Sequence, residues 1–243
     1  LTLRHEGTVV VTGANSGIGL ALVRSLAKRK IPVCACDVRI DALSVLESDR
    51  FSVVAVDVRD SETLRKTIDG LSNPAGISGL VTCAAVFRRM PFLELTEQCW
   101  DETFAINLDG SLFACQAVLP LMVARGGGSI VMLSSSLART GSPTGGHYAA
   151  TKGGLLGLMR SLALEVADRN IRVNAVSPGL TDTPQPRAHA GGIESMMERA
   201  RTIPLRRIGQ PSDIVAAIEF LLGEESSFVT GQDIQVNGGS RIS

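Results

Sequence analysis

A chain of 243 residues that is 44% hydrophobic can bury on the order of 70% of its unfolded surface, so it holds one globular core without needing metal or disulfides. The 24 basic side chains balance 24 acidic ones; no broad field attracts phosphate backbones or anionic lipid, so neither nucleic acid nor a membrane is an expected partner, and no apolar run approaches the roughly 18 to 20 residues of a bilayer span. Five cysteines, Cys34, Cys36, Cys83, Cys99 and Cys115, lack zinc-like spacing and read as free thiols of a reducing compartment, and with a start that is no signal peptide the expected location is cytoplasmic.

Short β-branched runs alternate with longer helical patterns, which predicts parallel strands joined by crossover helices. Strands are expected over residues 8–12, 32–37, 52–57, 79–83, 129–134, 172–177 and 232–236, mostly too continuously apolar for a half-exposed sheet. Helical patterns fall near 17–30, 41–47, 61–71, 97–124, 148–168 and 211–222. The expected architecture is a single α/β domain over residues 1–243, a doubly wound, Rossmann-like parallel sheet of seven strands with helices on both faces. Residues 183–209, with Pro184, Pro186, Gly191, Gly192 and Pro204 around a short helical pattern at 193–200, are too long for an ordinary connection and are expected to form a lid.

The first strand runs into a turn with Gly13, Gly17 and Gly19, and then into a helix. Unpaired N–H groups at a helix start, with its partial positive charge, favour a pyrophosphate that glycine lets approach closely. The second strand ends in Asp37, an acid placed to accept both ribose hydroxyls of an adenosine. A 2′-phosphate would meet repulsion there, and Asn15 and Ser16 in the turn supply no cation, so the expected cofactor is NAD rather than NADP; Arg39 lies nearby. Asp57 and Val58 close the third strand, where a carboxylate can hold the adenine amino group.

The fifth strand ends in Ser134, Ser135 and Ser136 at the carboxyl edge of the sheet, where open α/β sheets bind ligands. A hydroxyl there can donate to a substrate oxygen that gains charge. Tyr148 and Lys152 follow, four apart and so on one helix face. A free phenol titrates near 10, and a fixed ammonium beside it is expected to pull that value toward the working range. Tyr148 is the chain's one tyrosine. The Gly-x-Ser-x-Gly elbow of a serine hydrolase is missing. The histidines His5, His147 and His189 have no metal-ligand spacing, so no metal is called for.

These residues resemble the classical short-chain dehydrogenase/reductase family over essentially the whole chain. The resemblance rests on Thr12-Gly-Ala-Asn-Ser-Gly-Ile-Gly19, Asp57, Asn107, Ser135, Tyr148-x3-Lys152, Asn174-Ala-Val-Ser-Pro-Gly179 and the ending Val229-Thr-Gly-Gln with Asn237-Gly-Gly. It implies that Tyr148 is the general acid/base, that Lys152 lowers its pKa and holds the nicotinamide ribose, that Ser135 positions the reacting oxygen and that Asn107 organises a proton-relaying water. The implied cofactor contacts are Gly13, Asn15, Ser16, Gly17, Ile18, Gly19, Asp37, Asp57, Val58, Cys83, Ala84, Tyr148, Lys152, Pro178, Gly179, Thr181 and Thr183. Where the family shows Asn-Asn-Ala-Gly, this chain has Thr82-Cys-Ala-Ala85; a glycine-only conformation at Ala85 would carry strain.

The implied activity is hydride transfer between NAD(H) and a secondary alcohol or ketone. Two other readings stand beside it, an NADPH-dependent reductase of 3-oxoacyl thioesters and a nucleotide-binding module without turnover. The resemblance also implies a homotetramer, with the segments 97–124 and 148–168 facing their counterparts across a two-fold axis. Leu137, Arg139, Gly141 and His147 flank the expected substrate pocket, and Arg187, His189, Met196 and Met197 sit on the lid; arginines in these places can meet an anionic group.

Overall fold

The computed structural model describes residues 7–43, 46, 50–71, 73, 75–189 and 192–242, apart from the side chains of residues 189, 192 and 193. His5, Gly191 and the His189 side chain lie outside that set, as does much of the helix expected at 41–47, whose described residues 41–43 form a turn. The strands β1 (Thr8–Thr12), β2 (Val33–Asp37), β3 (Phe51–Ala55), β4 (Ile77–Thr82), β5 (Gly128–Leu133), β6 (Ile171–Pro178) and β7 (Asp233–Val236) form one sheet in the order β3-β2-β1-β4-β5-β6-β7. Every pairing is parallel. The chain runs outward from β1 through β2 to β3, then returns to place β4 on the other side of β1. That reversal opens a crevice at the carboxyl ends of β1 and β4.

The helices are α1 (Gly17–Lys28), α2 (Ser61–Asp69), α3 (Glu97–Phe104), α4 (Gly110–Arg125), α5 (Leu137–Thr140), α6 (Gly146–Val166), α7 (Pro184–His189), α8 (Gly192–Ala200) and α9 (Pro211–Leu222). Period-two alternation in β1 sends Val9 and Val11 to one face and Val10 to the other. Val9 and Val11 pack with Leu22 and Leu26 of α1 and with Ile214 and Ile218 of α9. Val10 packs with Leu64 of α2, Val118 of α4 and Leu155 of α6. Covering both faces explains why the central strands read as continuous apolar runs. β3 and β7, at the sheet edges, are only partly buried.

One π-helical stretch, Ala105–Asp109, joins α3 to α4, so the segment expected as a plain α-helix is a single 29-residue helix with a local widening. By length and composition this helix could cross a membrane, which corrects the expectation that no segment qualifies. In the fold it lies on the sheet, with Ala114, Cys115, Val118 and Met122 in the core. The cysteines are free thiols; those of Cys34 and Cys36 share a 3.7 Å hydrogen bond within β2.

Candidate active site

A cavity of about 880 Å³ occupies the crevice. Its floor at one end is the turn between β1 and α1, where Gly13 and Gly17 have φ of +66° and +52°, a region that side chains disfavour. A Cβ at Gly13 would lie 2.5 Å from the Ala84 backbone nitrogen, and one at Gly19 would lie 2.2 Å from the Gly13 carbonyl oxygen. The glycines are therefore dictated by backbone packed against backbone, and Cys83 and Ala84 line the cavity because the turn rests on them. Ser16, the N-cap of α1, makes no side-chain capping bond, and no acid stands in the first turn. The first N–H groups of α1 are thus left for another acceptor.

Ser16, Gly17, Ile18 and Gly19 face the cavity, as do Asp37, Asp57 and Val58. Asp37, at the end of β2, accepts the N–H groups of Asn15 at 2.9 Å and Arg39 at 3.1 Å. Asn15 does not line the cavity. Its side chain donates to Asp41 at 2.9 Å and accepts the Ala42 N–H at 2.8 Å, so it fastens the loop after β2, where a cofactor contact was expected. Asp57 lies beyond the end of β3 rather than closing it, and the Arg59 guanidinium at 2.6 Å holds its carboxyl below the usual range.

Ser135 follows β5 and Tyr148 and Lys152 occupy the first turns of α6, so one sheet edge and one helix start bring the three together at the middle of the cavity. The phenol faces the polar side chains of Ser135 and of Gln185 of α7, which favour its charged form. The ammonium of Lys152 donates to the Leu133 carbonyl at 2.7 Å and stands 5.6 Å from the centre of the phenol ring. Ser134 donates to the Lys152 carbonyl at 2.9 Å, which ties α6 to β5 and gives this serine a bracing place distinct from that of Ser135.

Burial pushes the Tyr148 phenol above its ordinary value, against the pull of Ser135 and Gln185. This corrects the expectation that the Lys152 ammonium pulls the phenol down: the ring is 8% exposed, and desolvation of the charged form outweighs the pull of its polar neighbours. The Lys152 ammonium, 2% exposed, is itself lowered by burial to about 8. It therefore stays mostly protonated at neutral pH.

Asn107 lies in the π-helical stretch, fully buried and off the cavity wall. Its side-chain oxygen accepts the Val86 N–H at 2.8 Å, while its amide donates to the Val86 carbonyl at 3.0 Å and to the Thr151 hydroxyl at 3.2 Å. The side chain is committed to holding the loop after β4 against α6. Ala85, in that loop, is not among the residues of positive φ, so the expected strain does not arise.

Pro178, Gly179, Thr181 and Thr183 line the far wall as expected. Leu137 and Gly141 do too, whereas Arg139 is drawn to Asp233 at 3.0 Å and Arg187 to Asp182 at 2.6 Å. His147 is buried beside Phe87, with neither ring nitrogen hydrogen-bonded, and burial lowers its pKa. On the lid, Met196 is buried and Met197 is exposed. Sequence reasoning missed Gln185, Arg89 and Arg199 on the cavity wall, because nothing in local spacing tells which residues of a long connection fold inward.

A family model described as enoyl-(acyl carrier protein) reductase matches residues 13–241. The chain is 35% identical to a 3-oxoacyl-[acyl-carrier-protein] reductase FabG of Thermotoga maritima, over 98% of this chain and 99% of that protein. It is 36% identical to dehydrogenase/reductase SDR family member 4 of Homo sapiens, over 95% of this chain and 86% of the relative. A solved short-chain dehydrogenase/reductase from Brucella melitensis, titled a glucose/ribitol dehydrogenase, superposes with a TM-score of 0.91 at 34% identity, covering 98% of each chain.

Proposed function

The chain belongs to the classical short-chain dehydrogenase/reductase family and is an oxidoreductase, and on that premise we propose that it transfers hydride between NAD(H) and a secondary alcohol or the corresponding ketone. The observation that carries the reading is the meeting of Ser135, Tyr148 and Lys152 in the cavity that also holds the glycine turn and Asp37.

The turn fits a dinucleotide. Its backbone approaches closely, its helix start leaves N–H groups uncapped, and Gly17 keeps open a gap that a Cβ would narrow to 3.4 Å from Thr183. Residues 13–19 would hold the pyrophosphate, Asp37 the adenosine ribose, Lys152 the nicotinamide ribose, and Thr181 and Thr183 the carboxamide side. When bound, the nicotinamide supplies the hydride acceptor or donor. In the oxidative direction the Tyr148 phenolate takes the proton of the substrate hydroxyl. Ser135 donates a hydrogen bond to the same oxygen, and the Lys152 ammonium stabilises the phenolate. In reduction Tyr148 gives the proton back. Asn107 acts one step away, by fixing the Val86 loop against α6.

Asp37 supports NAD, since a carboxylate accepts ribose hydroxyls and repels a 2′-phosphate. A second reading, NADPH-linked reduction of 3-oxoacyl thioesters, is favoured by the names of relatives such as the Thermotoga maritima protein and an acetoacetyl-CoA reductase of Synechocystis. The test is a panel of secondary alcohols with NAD and with NADP, followed by absorbance of the reduced nicotinamide. Turnover with NAD is expected, falling about 10²- to 10⁴-fold in Tyr148→Phe while NADH still binds. Activity of that variant within tenfold of the parent would remove the acid/base role, and a preference for NADP would favour the second reading.

A further inference from the structure

The charged residues lining the cavity are unevenly distributed. Near the adenosine-binding end stand Asp37 and Asp57 together with Arg39 and Arg59. The wall also includes Phe87, Arg89, Pro143, Leu180, Gln185 and Arg199, and among the described residues Asp37 and Asp57 are its acids.

Two of these, Arg89 and Arg199, are exposed arginines. Arg89 lies in the loop after β4, which the Met90 N–H pins to the Thr144 carbonyl at 2.8 Å. Its neighbour Arg88 is drawn away to Glu102 at 2.9 Å, and Arg89 has no carboxylate partner among the described residues. Arg199 is carried by α8, whose Met196 and Ala200 pack with Ile208 and Leu180. Burying those neighbours fixes the helix face, and the next position, Arg199, lines the cavity, again without a carboxylate partner among the described residues. The arginines expected from sequence to meet an anion, Arg139 and Arg187, are both neutralised by aspartates. Arg89, in the loop after β4, and Arg199, on the lid, are both exposed and both line the cavity.

We infer that the substrate carries an anionic group, a carboxylate or a phosphate ester, clamped between Arg89 and Arg199 while its hydroxyl or keto oxygen meets Ser135 and Tyr148. This rests on the hydride-transfer reading above and adds the substrate class. A guanidinium matches either anion with two parallel N–H donors. Because one arginine sits in the loop after β4 and the other on α8, an anion held by both would join two separate walls of the cavity.

Matched substrate pairs test it: 3-hydroxybutyrate with its methyl ester, and glycerol 3-phosphate with glycerol, each with NAD. The anionic member of at least one pair is expected to have a kcat/KM higher by about tenfold to a hundredfold, the pair identifying which anion is used. In Arg89→Ala and in Arg199→Ala that anionic-to-neutral ratio falls by about tenfold or more, chiefly through KM, as loss of a charge-assisted contact requires. Equal use of both members by the parent, or a ratio that survives both substitutions, overturns the inference while leaving hydride transfer standing. A loss of NADH affinity in Arg199→Ala that accounts for the whole effect assigns that residue to the cofactor phosphates and overturns it too. No turnover of any member, with the wider alcohol panel also silent, removes the hydride-transfer reading itself and the inference with it.

Discussion

Lys152 takes an ammonium into the interior with the Leu133 carbonyl as its hydrogen-bond acceptor. Among the described residues no carboxylate pairs with it, and burial lowers it from the ordinary 10.5 to about 8. Below pH 8 both folded and unfolded chains hold the proton, so the folded state bears the full cost of the buried charge. Between pH 8 and 10.5 the unfolded chain keeps a proton that the folded chain has lost, and stability rises with pH. The difference corresponds to about 3 kcal/mol. Lys152→Met removes that cost and leaves the Leu133 carbonyl without its donor, worth about 1–2 kcal/mol. Urea denaturation at neutral pH is therefore expected to find the variant more stable by about 1–2 kcal/mol, with the advantage shrinking as pH climbs to 10.5 and turnover lost throughout. A variant less stable than the parent at pH 7, with a gap independent of pH, would contradict the buried-charge account. The pairing of Tyr148 with Lys152 was legible because four residues apart on a helix is a local fact. The direction of the phenol's shift was not, because burial depends on neighbours distant in sequence, such as Phe87, whose ring lies 4.6 Å from that of Tyr148.

The turn between β1 and α1 separates two duties that one spacing of glycines conceals. Gly13 has φ of +66° and its missing Cβ would strike the Ala84 nitrogen at 2.5 Å. Gly17, at φ +52°, would meet nothing closer than Thr183 at 3.4 Å. Gly13→Ala therefore forces backbone to move and is expected to lose more than about 2 kcal/mol, whereas Gly17→Ala loses about 1 kcal/mol of conformational strain. NADH binding is expected to suffer in both. In Gly17→Ala it suffers in a protein that remains well folded, since the added methyl enters the gap to Thr183. Thermal unfolding and NADH titration side by side check the pair, and equal stability losses would refute the division of labour. The strands and the helices α1 and α9 were legible because apolar periodicity is set by which face each residue turns to the core. The π-helical stretch was not, since Asn107 owes its commitment to Val86 and Thr151, two contacts no helical pattern encodes. Asn15 likewise fits the glycine turn in sequence, yet its amide is spent on the loop at Asp41 and Ala42.

The outer face of α6 bears on how whole molecules associate. Positions 153, 157, 160 and 164 recur at helical spacing, and of these Gly157 is exposed with nothing within 4 Å of where a Cβ would stand, while Leu164 is 85% exposed. A glycine in mid-helix weakens the helix by roughly 1 kcal/mol relative to alanine, a loss that no packing within the single chain offsets. Close approach of a second helix would offset it, since helices 8–10 Å apart leave little room for a side chain between them. We propose that the homotetramer implied by the family resemblance would supply such a helix, the counterpart of α6 across a two-fold axis. Gly157→Leu separates the two situations. Within one chain the leucine meets open space and improves helix propensity, so circular dichroism and thermal unfolding of the individual chain should show no loss of fold. Across the proposed two-fold axis it would meet its own copy, and both glycine positions of the pair would be filled at once. Sedimentation of the parent is expected near about 100 kDa, for four chains of 25.6 kDa, and that of the variant at a smaller species. Turnover should drop with it, because Tyr148 and Lys152 stand on the same helix, some ~14 Å and ~8 Å from position 157 at 1.5 Å per residue. A variant that sediments like the parent would place the contact between copies on another face.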